Sequence, residues 1–259
     1  MEKIIVLGYG VLGVFLFNLS LICFIGSIAN ISFFPYLIDD HPRGDLFSAF
    51  LINLLLIAIF GLQHSVMARP QFKRWLTKFI PAELERTTYV ICASLLLFFL
   101  CAFWYPIPEI IWDIQHPLGE QVLWGLFGFG WLLGMFSSGL IDFFDLMGIR
   151  QVYSYVRKIP YIPPRFRVIS IYHYIRHPVM LGTLIGLWAT PFMTLGHLLL
   201  AGGFTIYIFI GIHWSEPRIA SYPPPAGAKL RFAEQARADF GICPRRPEQF
   251  AFHRTPAFP

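Results

Sequence analysis

The chain is short of charge. Asp, Glu, Lys and Arg make up 14% of its 259 residues, against roughly 25% in a soluble domain. That leaves too little polar surface to cover a globule, and a mean hydropathy of +0.59 points the same way. It also lacks paired cysteines. Cys23, Cys92, Cys101 and Cys243 form no CxxC motif and three lie in apolar runs, so they read as small apolar fillers rather than as a redox or metal centre. The net charge of +5 is divided among short segments. No basic face interleaved with aromatics exists, which excludes nucleic acid as a partner. The middles of the apolar runs contain almost no ionisable residues, which argues against a channel or transporter.

What the chain has instead is long apolar runs: Ile4–Phe34, Leu46–Ala68, Thr87–Pro108, Gln121–Ile141 and Val179–Ser215. A helix rises about 1.5 Å per residue, so roughly 20 residues cross a 30 Å hydrocarbon core. The first four runs predict one crossing each. The first is far longer than a signal-peptide core and is read as a retained span. The fifth exceeds one straight helix and contains Thr190-Pro191, where proline removes a backbone hydrogen bond and disfavours helix just before it. It predicts two legs, about 179–190 and 196–214. The fold class is all-α: a polytopic integral membrane bundle of five to six crossings with a broken last helix pair, partnered by the lipid bilayer. Nothing in the sequence fixes an oligomeric state.

Lys and Arg number one in residues 1–3, one in 35–45, five in 69–86, none in 109–120, six in 142–178 and seven in 216–259. The positive-inside rule then places the N-terminus, the 64–86 and 142–178 loops and the tail in the cytoplasm. The loops carrying Asp39, Asp40, Asp45, Glu109, Asp113 and Glu120 are expected outside, in a bacterial inner membrane.

Gly8-Tyr9-Gly10-Val11-Leu12-Gly13 spells GxGxxG. It has no strand before it and no acidic residue about 20 positions on, so it reads as small residues for helix packing rather than a dinucleotide site. Gly130…Gly134 and Gly182…Gly186 are GxxxG patterns that let membrane helices approach closely.

The chemically informative stretch is Ile171 to Gly182, IYHYIRHPVMLG. Pro178 suits the first position of a helix and pushes His177 out of helical geometry. The free N–H groups of that helix start bind anions. Arg176 adds a guanidinium fork. Tyr172, His173 and Tyr174 offer flat faces with polar tips, and Gly182 leaves room for a ligand or a neighbouring helix. A plain basic, aromatic interface belt is the competing reading.

Tyr174-Ile175-Arg176-His177-Pro178 followed by Gly182 resembles the RHP signature of the isoprenylcysteine carboxyl methyltransferase superfamily. Four further blocks, Gln63–Arg69, Glu85–Val90, Phe144–Val152 and Trp188–Leu198, resemble its nurim-like branch. Within the branch they are most similar to the bacterial enzymes that methylate methanethiol to dimethyl sulfide. The resemblance covers roughly residues 1–213. It implies a membrane S-methyltransferase that uses S-adenosylmethionine and takes a small thiol. A non-catalytic structural role, as for nurim, is the alternative.

In the superfamily the last span runs into a Glu-Glu pair. Here Ser215 stands at the first position and Glu216 at the second, which makes Glu216 a candidate for the cationic end of the cofactor. Beyond it the chain departs from the family. Residues 216–259 are rich in Pro and Arg and predict a disordered cytoplasmic tail behind a 1–215 transmembrane domain.

Cofactor contacts are thus expected from Tyr172, His173, Tyr174, Arg176, His177, Pro178, Gly182 and Glu216, with no metal. Methyl transfer needs in-line alignment and a thiolate, hence a base poised near neutrality. His64, ending the second span on the cytoplasmic side, is the first candidate base, ahead of His173 and His177. Arg150 is expected to pair with Asp142 or Asp145 or to help anchor the cofactor. His197, at the far turn, is expected to take no part.

Overall fold

The computed structural model describes residues 2–40, 44–162 and 170–220. These form helices α1 Glu2–Ile28, α2 Leu46–Met67, α3 Pro70–Leu76, α4 Glu85–Ala102, α5 Pro117–Leu146, α6 Ile149–Arg157, α7 Pro178–Trp188 and α8 Leu195–Ala220, and strands β1 Ile110–Asp113 and β2 Phe192–Thr194. Single 3₁₀ turns at Ala82–Leu84 and Ser170–His173 complete the described elements. Among the described residues, five helical segments are long and apolar enough to span a membrane: Lys3–Ile28, Leu46–Met67, Ala82–Ala102, Pro117–Leu140 and Leu195–His213. All five belong to one compact unit, Met1–His213, distinct from Trp214–Pro259.

The protein is therefore the helical membrane bundle that the apolar runs predict, with its fifth run broken in two. The first leg, α7, falls within two residues of its expected bounds. Its 11 residues reach about 16 Å, half of a hydrocarbon core, so α7 is a half-length helix rather than a sixth full crossing.

Local chemistry sets the helix starts. Pro70, Pro117 and Pro178 open α3, α5 and α7, where a missing N–H costs nothing. The Asp45 side chain accepts the Ser48 N–H at 2.9 Å and caps α2. The α7–α8 break is held by an element that apolar patterning does not announce. β1 and β2 pair antiparallel, with Ile110 opposite Thr194, Trp112 opposite Met193 and Asp113 opposite Phe192. The Trp112 indole donates to the Thr190 carbonyl at 3.0 Å.

Contacts sort the loops into two ends. At the basic end, Tyr9 of α1 meets Thr88 of α4 at 2.8 Å, and Arg86 donates to the Leu146 carbonyl at the close of α5 at 2.8 Å. At the acidic end, the Leu195 N–H donates to the Glu109 carbonyl at 2.7 Å and the Gly196 N–H to the Ile107 carbonyl at 3.0 Å. The main apolar core, including Phe24, Leu56, Leu100, Trp104, Trp131 and Leu187, is distinct from a smaller cluster of Met67, Tyr89, Val90 and Met147.

One acidic loop departs from its expected exposure. The Asp39 carboxylate is 1% exposed because two donors and the edge of a histidine ring gather on it. Asn30 Nδ2 lies 2.9 Å away, the Thr194 hydroxyl donates to it, and His197 Nδ1 is 3.5 Å away. The loop after α1 is thereby drawn onto the β2–α8 corner.

Two of the three glycines of the GxGxxG letters, Gly10 and Gly13, are packing residues. A Cβ on Gly10 would stand 3.1 Å from Val152 and one on Gly13 2.8 Å from Thr87, while Gly8 has nothing within 4 Å.

Candidate active site

The two sequence-predicted parts of the site are built on different sets of helices. The RHP segment rests on α5 and α7. Pro178 is buried at the first position of α7, and the His177 side chain does not cap the helix. The first backbone bond of the turn runs from the Leu181 N–H to the His177 carbonyl at 3.0 Å. The Val179 and Met180 N–H groups precede it and fall among those a helix start leaves without an internal partner. His177 Nε2 is buried and has no hydrogen-bond partner among the described residues. Arg176 is exposed and already engaged in an interaction. This is a helix start with donors and a cation, the chemistry that holds a carboxylate.

The aromatic residues of the segment divide. Tyr174 is 91% exposed. The Tyr172 hydroxyl donates to the Ser137 carbonyl of α5 at 3.1 Å, and burial raises its pKa. Tyr172 thus ties the segment to the bundle. Gly182 faces α5 rather than open space: a Cβ there would stand 2.5 Å from the Gly130 carbonyl oxygen and 2.6 Å from the Gly134 nitrogen. Of the two uses its sequence allows, the neighbouring helix takes the space. The side chains of His173 and Glu216 lie outside the described residues; position 216 lies on α8.

His64 sits in the last turns of α2, walled by aromatics from three helices. Phe60, one turn back, stacks on it with centroids 5.6 Å apart and planes at 27°. Tyr89 of α4 bonds its Nε2 at 2.7 Å. Tyr207 of α8 presents an edge at 6.2 Å and 86°. Tyr207 fits because Gly61 carries no side chain; a Cβ there would stand 3.0 Å from its ring. His64 Nδ1 is buried and without a partner among the described residues. Arg86 lies over the Tyr89 ring at 5.2 Å while it holds the Leu146 carbonyl.

Sequence reasoning flagged the Glu85–Val90 block but gave Arg86 and Tyr89 no role, and it gave Tyr207 none. The block resemblance is the signal for the first two. Tyr207 lies in an apolar run, where a lone tyrosine reads as packing. Arg150 pairs with Asp142, Nη2 to Oδ2 at 2.6 Å, so its charge is used within the α5–α6 corner. It lines a cleft of about 380 Å³ with Phe144, Ile149, Tyr153 and Tyr161.

Known proteins resemble this one over most of its length. It is 42% identical over 216 residues to methanethiol S-methyltransferase of Crocosphaera subtropica, covering 83% of this chain and 84% of that protein. With methanethiol S-methyltransferase of Mycobacterium tuberculosis it shares 39% identity, covering 83% and 88%. The chain belongs to the methanethiol S-methyltransferase family. Nurim of Sus scrofa is a more distant relative, 33% identical over 60% of this chain and 62% of nurim. No family model matches the sequence, and no solved structure matches it. Membership makes the chain a methyltransferase of the nurim-like branch and gives its membrane bundle an enzymatic purpose.

Proposed function

We propose that this protein transfers a methyl group from S-adenosylmethionine to methanethiol in the membrane, giving dimethyl sulfide. The observation that carries the reading is the likeness of about 40% to enzymes named for methanethiol methylation, over 84% and 88% of their lengths. When bound, S-adenosylmethionine supplies a methyl group on a positively charged sulfur. The residues present fit such a donor. The N–H groups at the start of α7, which a helix leaves without an internal partner, His177 Nε2 and Arg176 suit its carboxylate. Tyr172, His173, Tyr174 and Pro178 form the rest of the segment that holds it, Gly182 lets that segment seat on α5, and Glu216 serves its cationic end.

The chain's own chemistry is then deprotonation and alignment. A thiol is a weak nucleophile until it loses its proton, and His64 Nδ1 is an unused buried nitrogen able to take it. The aromatic walls around His64 keep water from the thiolate. The basic end faces the cytoplasm of a bacterial inner membrane; the Pro- and Arg-rich tail expected from the sequence lies, from residue 221 on, outside the described residues.

Isolated membranes containing the protein, given methyl-labelled S-adenosylmethionine and methanethiol, are expected to release labelled dimethyl sulfide. Arg176→Ala is expected to raise the KM for the donor at unchanged thermal stability. Donor binding with no transfer to any small thiol favours the non-catalytic role instead, to which the likeness to nurim lends weight. Absence of donor binding overturns the proposal.

A further inference from the structure

Tyr89 is the only described hydrogen-bond partner of the His64 ring, at 2.7 Å from Nε2, while Nδ1 is buried and unpartnered. A neutral imidazole carries one N–H and one lone pair, and its partner decides which nitrogen holds which. A thiol can give its proton only to the nitrogen that lacks one. With Nε2 engaged by Tyr89, the reactive form is the one in which Nε2–H donates to the tyrosine oxygen and Nδ1 keeps its lone pair. The opposite form, in which the tyrosine hydroxyl donates to Nε2, puts the proton on Nδ1 and leaves no lone pair there for a thiol proton.

We propose that Tyr89 is the positioning residue of the methyl transfer: its hydroxyl accepts from His64 Nε2, holds the ring at a fixed angle and reserves Nδ1 for the acceptor thiol. This rests on the reading of His64 as the base. In the step, the thiol S–H bond breaks and its proton goes to Nδ1. The sulfur keeps the electron pair and uses it to form the new S–CH₃ bond, and the pair of the broken donor S–CH₃ bond stays on the donor sulfur. Throughout, Nε2–H remains bonded to Tyr89, so the imidazolium that forms has one N–H already satisfied.

The surroundings of Tyr89 support a fixed geometry. Thr87 and Tyr89 are both buried, Arg86 lies over the tyrosine ring, and the same guanidinium is tied to the Leu146 carbonyl. The tyrosine is thereby tied to the α5–α6 corner. Three of the four blocks that accompany the RHP segment in the sequence, around His64, Tyr89 and Leu146, meet in this one chain of contacts.

The test compares two small acceptors, methanethiol and trifluoroethanethiol. The fluorines make the second thiol far more acidic, so at alkaline assay pH it arrives as the thiolate and needs no base. Tyr89→Phe keeps the ring and removes the hydroxyl. It is expected to lower kcat with methanethiol roughly tenfold or more, part of the 10²–10⁴ that a positioned base supplies. The loss with trifluoroethanethiol should be much smaller, and the KM for S-adenosylmethionine should not move. His64→Ala should show the same selectivity with a larger loss. Equal loss with both thiols, or none, in Tyr89→Phe overturns the inference. Absence of selective loss in His64→Ala overturns the parent reading instead. ¹⁵N NMR of the histidine-labelled wild-type protein, with His64 assigned by comparison with His64→Gln, reads the same point without turnover. A signal for Nε2–H with bare Nδ1 supports the inference, and an Nδ1–H signal overturns it.

Discussion

Gly182 of α7 and Gly130 of α5 meet backbone to backbone. A Cβ on Gly182 would stand 2.5 Å from the Gly130 carbonyl oxygen, and one on Gly130 2.7 Å from the Gly182 oxygen and 2.6 Å from the Gly186 nitrogen. The two GxxxG patterns are thus halves of one interface, and it seats the RHP segment on α5. Close backbone approach of this kind is how membrane helices gain packing energy without a hydrophobic driving force. Gly182→Val and Gly130→Val push against backbone that cannot yield. Each is expected to exceed the usual 1–3 kcal/mol of overpacking and to lower the thermal midpoint of the detergent-solubilised protein. Gly125→Ala, with nothing within 4 Å, is expected to be neutral or to gain about 0.5–1 kcal/mol. Equal midpoints for Gly182→Val and wild type would remove this interface from the account.

The separation of basic and acidic ends makes a topological prediction. In a cysteine-free background, a single cysteine at exposed Gln115 is expected to react with an impermeant maleimide added outside intact cells. Cysteines at exposed Arg74 or Tyr153 are expected to react only after the membrane is opened. Labelling of position 74 from outside would invert the orientation that the arginine and lysine distribution implies.

Most of the bundle was legible because membrane spans announce themselves: twenty apolar residues in a row have few other uses. The break at Thr190-Pro191 was legible from one proline. What apolar patterning misses is polar chemistry between distant segments. Asp39 reads as a loop acid until Asn30, Thr194 and His197 are seen around it. His64 reads as a candidate base on its own, but its partner Tyr89 is 25 residues away and its wall Tyr207 farther still, with no spacing rule to link them. The strand pair β1–β2 escaped for the same reason: three or four residues carry no period.

Tyr161 gives a pH prediction at the basic end. Its hydroxyl donates to Asp145 Oδ1 at 2.5 Å and Gln151 Nε2 lies 3.2 Å from it. Burial first, then the hydrogen bond and charge of Asp145, push its pKa up to about 12, against about 10 for a free tyrosine. The fold holds this proton more tightly than the unfolded chain does. The stabilisation is therefore complete below about pH 10 and fades as pH rises towards 12. The ring is partly exposed, so solvent screening keeps the energy small. Subtracting the Tyr161→Phe titration from that of the wild type should show one late phenolate absorbance. Asp145→Asn should move it earlier but short of the free value, because burial remains. A Tyr161 phenolate that appears at the ordinary value in the intact protein would show that Asp145 does not hold it.

The acidic end makes the last prediction, about stability rather than catalysis. The Asp39 side chain is 1% exposed and His197 is fully buried. The carboxylate receives Asn30 and Thr194. His197 adds Nδ1 at 3.5 Å while its Nε2 lies 3.0 Å from the Leu187 carbonyl. One acid thus joins the end of α1, the end of α7 and the start of α8. Removing the acid strands two donors, Asn30 Nδ2 and the Thr194 hydroxyl, at about 1–3 kcal/mol each, or about 2–6 kcal/mol together. Asp39→Ala is expected to fall in that range. Combining it with His197→Ala should cost clearly less than the sum of the two single losses, because the shared contact can be lost only once. The damage should also be local. Hydrogen exchange is expected to rise across residues 189–197 and 30–40, where the acid joins segments, and to stay unchanged at 64–89, where a different set of contacts holds His64. Additive losses would mean that Asp39 and His197 are merely neighbours. Faster exchange around His64 would mean that the two ends of the bundle are coupled, and that the Asp39 contacts help to set the geometry around His64.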